Sequence, residues 1–236
     1  MDSLEAIVTE DVVVVGIAGG TASGKTTLAR KVAESLGIEE CLLITHDRYY
    51  YDVENPETFN YDHPDALETA LLVDHLRALR SGDEVELPDY HFATHTRREW
   101  GKKTTPKPTI LVEGILILEN DELRSLCDLM VYVDTPDDLR LARRIRRDMA
   151  DRGRDVEQVL TRWLTTVRPM HIRYVEPCRA FADVVLPGVG LLEPLVESIC
   201  AAIDRCRLEI EGEANSELEE LETDDLVYVD SDTSST

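Results

Sequence analysis

Residues 12–36 read VVVVGIAGGTASGKTTLARKVAESL, and the fold follows from how this stretch divides. Its first seven residues are an unbroken apolar run, the pattern of a strand buried on both faces rather than one with a wet side. From Lys25 onward, Leu28, Val32 and Leu36 recur at i, i+4 and i+8, which is helical spacing, and Gly37 stops the pattern. Between strand and helix, Gly19, Gly20, Thr21, Ala22, Ser23, Gly24, Lys25 and Thr26 spell G-x-x-x-x-G-K-[ST]. Phosphates need several backbone amides converging on one point, so glycines stand where the chain must curl tightly. The positive end of the following helix adds to that attraction. Lys25 would reach the β- and γ-phosphates of ATP, the Thr26 hydroxyl would hold Mg²⁺, and Thr27 continues the nucleotide-binding set. The competing reading, a plain glycine-rich turn between strand and helix, accounts for the glycines but not for the Lys-Thr pair.

Further apolar segments extend this βα beginning. CLLIT (41–45), residues 110–118, residues 129–133 and residues 184–186 read as strands, the second of them interrupted by Glu113-Gly114. Residues 65–80, 136–149 and 156–167 carry helical spacing, the last breaking near Pro169, and residues 191–208 form a closing helix. Short buried strands alternating with helices imply an α/β fold with a mostly parallel sheet of about five strands covered on both faces. The domain is expected over residues 1–210. Residues 211–236, with ten acidic and no basic side chains, read as a disordered tail, although DLVYV (225–229) could dock locally.

The 236 residues include 25 basic and 48 acidic side chains, a formal charge of −23. Such a surface disfavours nucleic acid, which is bound through basic phosphate contacts. No apolar run approaches the roughly 18 residues of a membrane span. The first eleven residues carry four acidic and no basic side chains, which is not the pattern of a signal peptide. Five cysteines without a C-x-x-C pair suit a reducing compartment, so a cytoplasmic protein is expected. Only five of the basic residues are lysines. An acid-rich, lysine-poor surface is what high-salt cytoplasm tends to select; an acidic mesophilic enzyme with a disordered tail is the alternative.

Three features add chemistry to the loop. Glu113 is an acidic residue in the apolar stretch TILVEGILIL, and a carboxylate there needs a cation or a partner. The Mg²⁺ held by Thr26 would supply one; a solvent-facing strand end is the other possibility. Asp47 follows the second strand, and in parallel sheets ligands sit beyond the carboxyl ends of strands. A carboxylate there can orient or deprotonate a hydroxyl, or simply cap a turn. Residues 139–154 contain seven arginines against Asp148 and Asp151, a local +5 that calls for an anion and suggests a lid over phosphates, though some of these arginines suit a solvated helix face.

The blocks GGTASGKTTLA, THDRYYYD, YDHPDAL, PDYHFATHTR, ILVEGIL, VDTPDDLRLARRIRRD, RGRDVEQVL and VRPMHIRYVEP stand in this order over about residues 12–190. On them the chain resembles the phosphoribulokinase/uridine kinase family of P-loop kinases. That resemblance implies ATP-dependent phosphorylation of uridine, and of cytidine, at the 5′-hydroxyl. It makes Asp47 the catalytic carboxylate, with Lys25 and Arg143 acting on the phosphates and Thr26 and Glu113 serving Mg²⁺. Asp62 would bind ribose hydroxyls, Arg140 and Gln158 would close on the nucleoside, and Tyr90 and His95 would hold the pyrimidine. It also implies a small β flap over residues 84–109, an arginine-rich helical lid and a homo-oligomer, often a tetramer in relatives. His91 stands where an Asp is usual, Tyr61 where a Phe is frequent, and T-H-D replaces the usual S-x-D. Another acceptor, such as a sugar phosphate, or a nucleotide switch without an acceptor, are the other functions a P-loop allows.

If the acidic surface is an adaptation to salt, folding and activity should hold or rise in molar KCl, where the Debye length shrinks to about 3 Å. Activity assays and melting curves from dilute buffer to molar KCl check this, and an enzyme lost in molar salt would contradict it.

Overall fold

The computed structural model describes residues 12–227 apart from 57, 93, 99, 100 and 102. Along the chain come β1 (Val13–Gly19), α1 (Lys25–Leu36), β2 (Cys41–Thr45) and α2 (Thr69–Arg80). Four short strands follow, β3 (Val85–Glu86), β4 (Asp89–His91), β5 (Thr96–Arg98) and β6 (Lys103–Thr104). The remainder is β7 (Thr109–Glu113), α3 (Asp121–Ser125), β8 (Leu129–Asp134), α4 (Asp137–Arg152), α5 (Val156–Arg162), α6 (Arg168–Met170), β9 (Val184–Pro187) and α7 (Glu193–Val227).

Five strands form one sheet in the order β2-β7-β1-β8-β9, every neighbouring pair parallel. Parallel neighbours need crossovers, and the helices that make them cover both faces. Strand residues alternate between the two sides. Val13, Val15 and Ile17 pack with Leu28 and Val32 of α1 and Ile199 and Ile203 of α7. Val14, Ala18, Ile44 and Val112 pack with Leu72, Leu76 and Leu79 of α2. The register sets Glu113 beside both Ile17 and Thr45, and Gly19 beside Val133. The carboxyl ends of β1, β2, β7 and β8 therefore share one edge.

Several boundaries differ from those read in the sequence. The apolar run 110–118 is not one strand: β7 ends at Glu113, and a turn closed by Glu119 N–H donating to the Leu116 carbonyl at 3.1 Å follows. The helix expected from residue 65 starts at Thr69, because Leu67 is held in an isolated bridge with Tyr50. Pro169 does not break the helical stretch 156–175. Wider π-helical turns over Trp163–Val167 and His171–Val175 flank it, and a ladder already spaced for i→i−5 bonds tolerates the missing N–H. The final helix runs on to Val227, through much of the segment read as a disordered tail, in a composition rich in Glu and Leu. Residues 228–236, with the end of the DLVYV segment, and residues 1–11 lie outside the described residues.

The flap over residues 84–109 consists of two antiparallel ladders, β3 with β6 and β4 with β5. Arg97 ties it to the turn after β2, donating to the Tyr49 and Tyr50 carbonyls at 2.9 and 3.0 Å and pairing with Glu68. Among the described residues no helix is long and apolar enough to cross a membrane.

Ile203 is fully buried where α7 docks on the sheet. Ile203→Ala should cost about 2–5 kcal/mol of unfolding free energy, read from urea denaturation; a loss below about 1 kcal/mol would mean that α7 is not part of the core.

Candidate active site

The loop from Gly19 to Thr26 connects the central strand to α1. Gly24 has φ 104°, a left-handed conformation glycine adopts without penalty, and it opens the helix. Ser23 is fully buried and the Ser23 N–H donates back to the Gly20 carbonyl at 3.0 Å. A loop that turns its amides toward a ligand must satisfy its carbonyls from behind. The Ser23 carbonyl accepts from Thr135 Oγ1 at 2.9 Å and from Arg143 Nη1 at 3.1 Å. Thr21 Oγ1 accepts from Arg144 Nη1 at 3.0 Å.

In front of the loop lies a cleft of about 810 Å³. Its lining includes residues 22–27 and Glu113, Asp47 and Arg48 after β2, Tyr90 and Phe92 of the flap, Arg143, Arg147 and Arg152 of α4, and residues 187–190. The Glu113 carboxylate is 2% exposed. It accepts from Thr26 Oγ1 at 3.1 and 3.2 Å and lies 3.8 Å from Lys25 Nζ. Burial lifts its pKa above the ordinary carboxylate value, Lys25 pulls it back, and Asp47 adds to the rise. A hydroxyl and a nearly buried carboxylate, both oxygen donors, converge at the foot of the phosphate loop. They fit a hard divalent cation such as Mg²⁺.

Asp47 sits in the turn His46–Tyr49, directly after β2 and beside the end of β7. Asp62 lies close enough for the two carboxylates to repel. Its pKa is raised by burial, lowered by Arg144 and raised again by Asp47. Tyr90 is buried on the flap side of the cleft, its ring 5.5 Å from Tyr50 and 5.2 Å from Phe92. His95 shares a 2.7 Å hydrogen bond with Tyr61, whose ring lies 5.4 Å from that of Tyr50. Burial, then the charges of Arg154, Arg162 and Arg152, hold the His95 pKa below its usual value, so the imidazole is neutral at neutral pH. Asp62 and His95 do not line the cleft; an aromatic cluster and the arginines connect them to it.

Two expected nucleoside ligands are elsewhere. Arg140 is 1% exposed behind the phosphate loop, its Nε donating to the Thr135 carbonyl at 3.2 Å and its guanidinium 5.2 Å from the Trp163 ring centre. It occupies the space that a Cβ on Gly20 would take, with Nη1 2.5 Å from that position. Packing against Trp163 and pairing with Asp137 direct it under the loop rather than toward an acceptor. Gln158 is exposed and completes a capping box with Asp155 at the start of α5, its Oε1 accepting from the Asp155 N–H at 3.1 Å. Arg143 does line the cleft, but two of its nitrogens are engaged by the carbonyls of Ser23 and Gly188, so it is a fixed wall as well as a charge.

The sequence reading missed Thr135, Gly188 and the individual parts of Arg144, Arg147 and Arg152. Arg144 carried a signal: it stands four residues after Arg140, so both project from one face of α4. Gly188 carried none, because its need for a missing Cβ arises only when β9 meets the loop.

The profile of the Phosphoribulokinase / Uridine kinase family matches residues 14–191. The chain belongs to this family. A uridine kinase of Chloroflexus aggregans is 46% identical over 197 residues, spanning 81% of this chain and 94% of that protein. One from Clostridium perfringens is 42% identical over 195 residues, 80% of this chain and 93% of the relative. Among solved structures, a putative fructose transport system kinase from Silicibacter sp. TM1040 superposes with a TM-score of 0.62 at 17% identity, covering 79% of this chain and 93% of that one. Phosphoribulokinase from Rhodobacter spheroides gives 0.58 at 17%, covering 75% and 70%. At these identities the structures speak to the fold, and they agree with the five-stranded sheet described above.

Gly188 closes the cleft against the loop. A Cβ there would lie 2.5 Å from the Ser23 carbonyl oxygen and overlap Thr135 Oγ1, and backbone cannot move aside cheaply. Gly188→Ala should weaken ATP binding at least tenfold by calorimetric titration and lower thermal stability; wild-type affinity would contradict this packing.

Proposed function

We propose that this chain transfers the γ-phosphoryl group of ATP to the 5′-hydroxyl of uridine, and of cytidine, giving UMP or CMP. The observation that carries the reading is the meeting of Asp47, the Thr26–Glu113 pair and the phosphate loop in one cleft walled by Tyr90 and the arginines of α4. Relatives named uridine kinases match at 42–46% identity over most of their length, which supports the pyrimidine nucleoside as acceptor.

Little covalent chemistry is asked of the protein; it must position and neutralise. Asp47 accepts the hydrogen bond of the attacking hydroxyl and takes its proton as the bond to phosphorus forms. The loop amides and Lys25 hold the β- and γ-phosphates, and Arg143, Arg147 and Arg152 face the charge spread over the transferring group. Mg²⁺ would be held by Thr26 and Glu113 and would neutralise phosphate charge when bound. Asp62 and His95 stand beside the cleft rather than in its lining, and an acceptor that extends past Tyr90 would meet Asp62 at its ribose hydroxyls and Tyr90 with His95 at its base. A closed lid keeps water from the γ-phosphate.

Asp47→Asn should lower kcat by about 10² to 10⁴ with little change in ATP affinity; near-normal turnover would remove Asp47 from this role. In an ADP-release panel, uridine and cytidine should be phosphorylated well, purine nucleosides poorly and ribulose 5-phosphate not at all. His95→Ala should raise KM for uridine far more than KM for ATP. A sugar phosphate or guanosine that outpaced both pyrimidines would overturn the acceptor assignment and leave the kinase intact.

A further inference from the structure

Asp148 is fully buried at the end of α4, and four arginines converge on its carboxylate. Arg144 Nε lies 3.5 Å away, Arg147 Nη2 2.9 Å, Arg152 Nη1 3.6 Å and Arg154 Nη1 3.1 Å. The backbone makes this possible. Gly153 takes a left-handed φ of 62° and ends the helix, and the N–H groups of Gly153 and Arg154 both donate to the Asp148 carbonyl. The chain thus folds back on Asp148 and delivers Arg154 to the same carboxylate.

The arrangement is not that of an ordinary structural ion pair. One buried carboxylate meets four guanidinium groups, and the charge it leaves over is shared outward, Arg144 toward Asp62 and Arg152 toward Asp47. Burial pushes the Asp148 pKa up, but Arg147, Arg152 and Arg144 outweigh it and hold it below the ordinary carboxylate value. The four guanidinium groups also fan out to different places. Arg147 and Arg152 line the nucleotide cleft, Arg144 bonds Thr21 of the phosphate loop, and Arg154 lies on the His95 side. Free arginine side chains lose much rotamer freedom when fixed, so an array ordered beforehand acts without that cost at the moment of transfer.

We infer that Asp148 is the positioning residue of the lid, one buried carboxylate that presets Arg144, Arg147, Arg152 and Arg154 so that phosphate side and acceptor side are engaged together. The inference rests on the phosphoryl-transfer reading above, but its test does not depend on the acceptor.

In the full-length protein, Asp148→Asn keeps the side-chain shape and removes the charge. Its kcat should fall about tenfold to a hundredfold, while the Kd for ATP, from calorimetry, changes less than about threefold. In an Arg147→Gln/Arg152→Gln background the same change should cost less than about threefold, because its effect runs through those arginines. A kcat within threefold of wild type, or an equal loss in both backgrounds, overturns the proposal. The acceptor used is whichever one the wild type phosphorylates best, so a wrong nucleoside assignment shows in the panel and not here. Arginine Nε–Hε NMR signals give a readout free of turnover: those of Arg147 and Arg152 should broaden in Asp148→Asn while the loop amides stay in place, and an unchanged spectrum also overturns it. Should Asp148→Asn fail to fold, Asp148→Asn/Arg154→Gln removes one stranded charge and is compared with Arg154→Gln alone, with the same drop in kcat expected and its absence decisive against.

Discussion

The carbonyl of Ser23 is the point on which the site depends. To aim its amides into the cleft, the loop must turn this oxygen inward, where water cannot reach it. Two donors from beyond β8, the Thr135 hydroxyl and the Arg143 guanidinium, meet it at 2.9 and 3.1 Å. An unpaired buried carbonyl would cost about 1–3 kcal/mol, so the loop's curl and the start of α4 stabilise each other. Arg143 also donates to the Gly188 carbonyl at 2.9 Å, which brings the chain after β9 into the same arrangement. Three segments distant in sequence are in this way fastened to one peptide group.

Charge is organised just as economically. The chain carries −23 overall, yet the cleft is lined by Arg143, Arg147, Arg152 and Lys25. Carboxylates that enter this region have specific neighbours: Glu113 faces Thr26 and Lys25, and Asp62 faces Arg144. Among the described residues that line the cleft, Lys25, Arg30, Arg48, Arg143, Arg147 and Arg152 outnumber Asp47, Asp89, Glu113 and Asp151, a local excess of positive charge in a chain that is acidic overall.

Much of this was legible in the residues. The apolar run, the helical spacing after Lys25 and the glycine pattern between them identify β1, α1 and the loop, and CLLIT is β2 residue for residue. Glu113 stood out because a carboxylate in an apolar run needs a partner, and Thr26 is among those it has. What was not legible depends on how helices rotate against the sheet. Arg140, Arg143, Arg144 and Arg147 look alike in sequence, and it is the Trp163 ring and Asp137 that hold Arg140 under the loop while others remain in the cleft. Pro169 misled for a local reason: proline ends an α-helix, but the ladder on both sides of it is wider than α.

The position of β1 has a consequence for how the protein is made. Among the described residues it is the first strand to leave the ribosome, and it is the middle strand of the sheet, with residues 109–113 and 129–133 as its partners. Until β8 has emerged, Val13–Gly19 has no neighbour on that flank, and the Ser23 carbonyl lacks the donors from Thr135 and Arg143. The nascent chain must therefore carry an apolar strand and an incomplete phosphate loop until residues 129–143 have followed them. Long-range pairing of this kind is slow and exposed to aggregation. A ligand that needs the completed loop can favour the folded state only once those residues are in place.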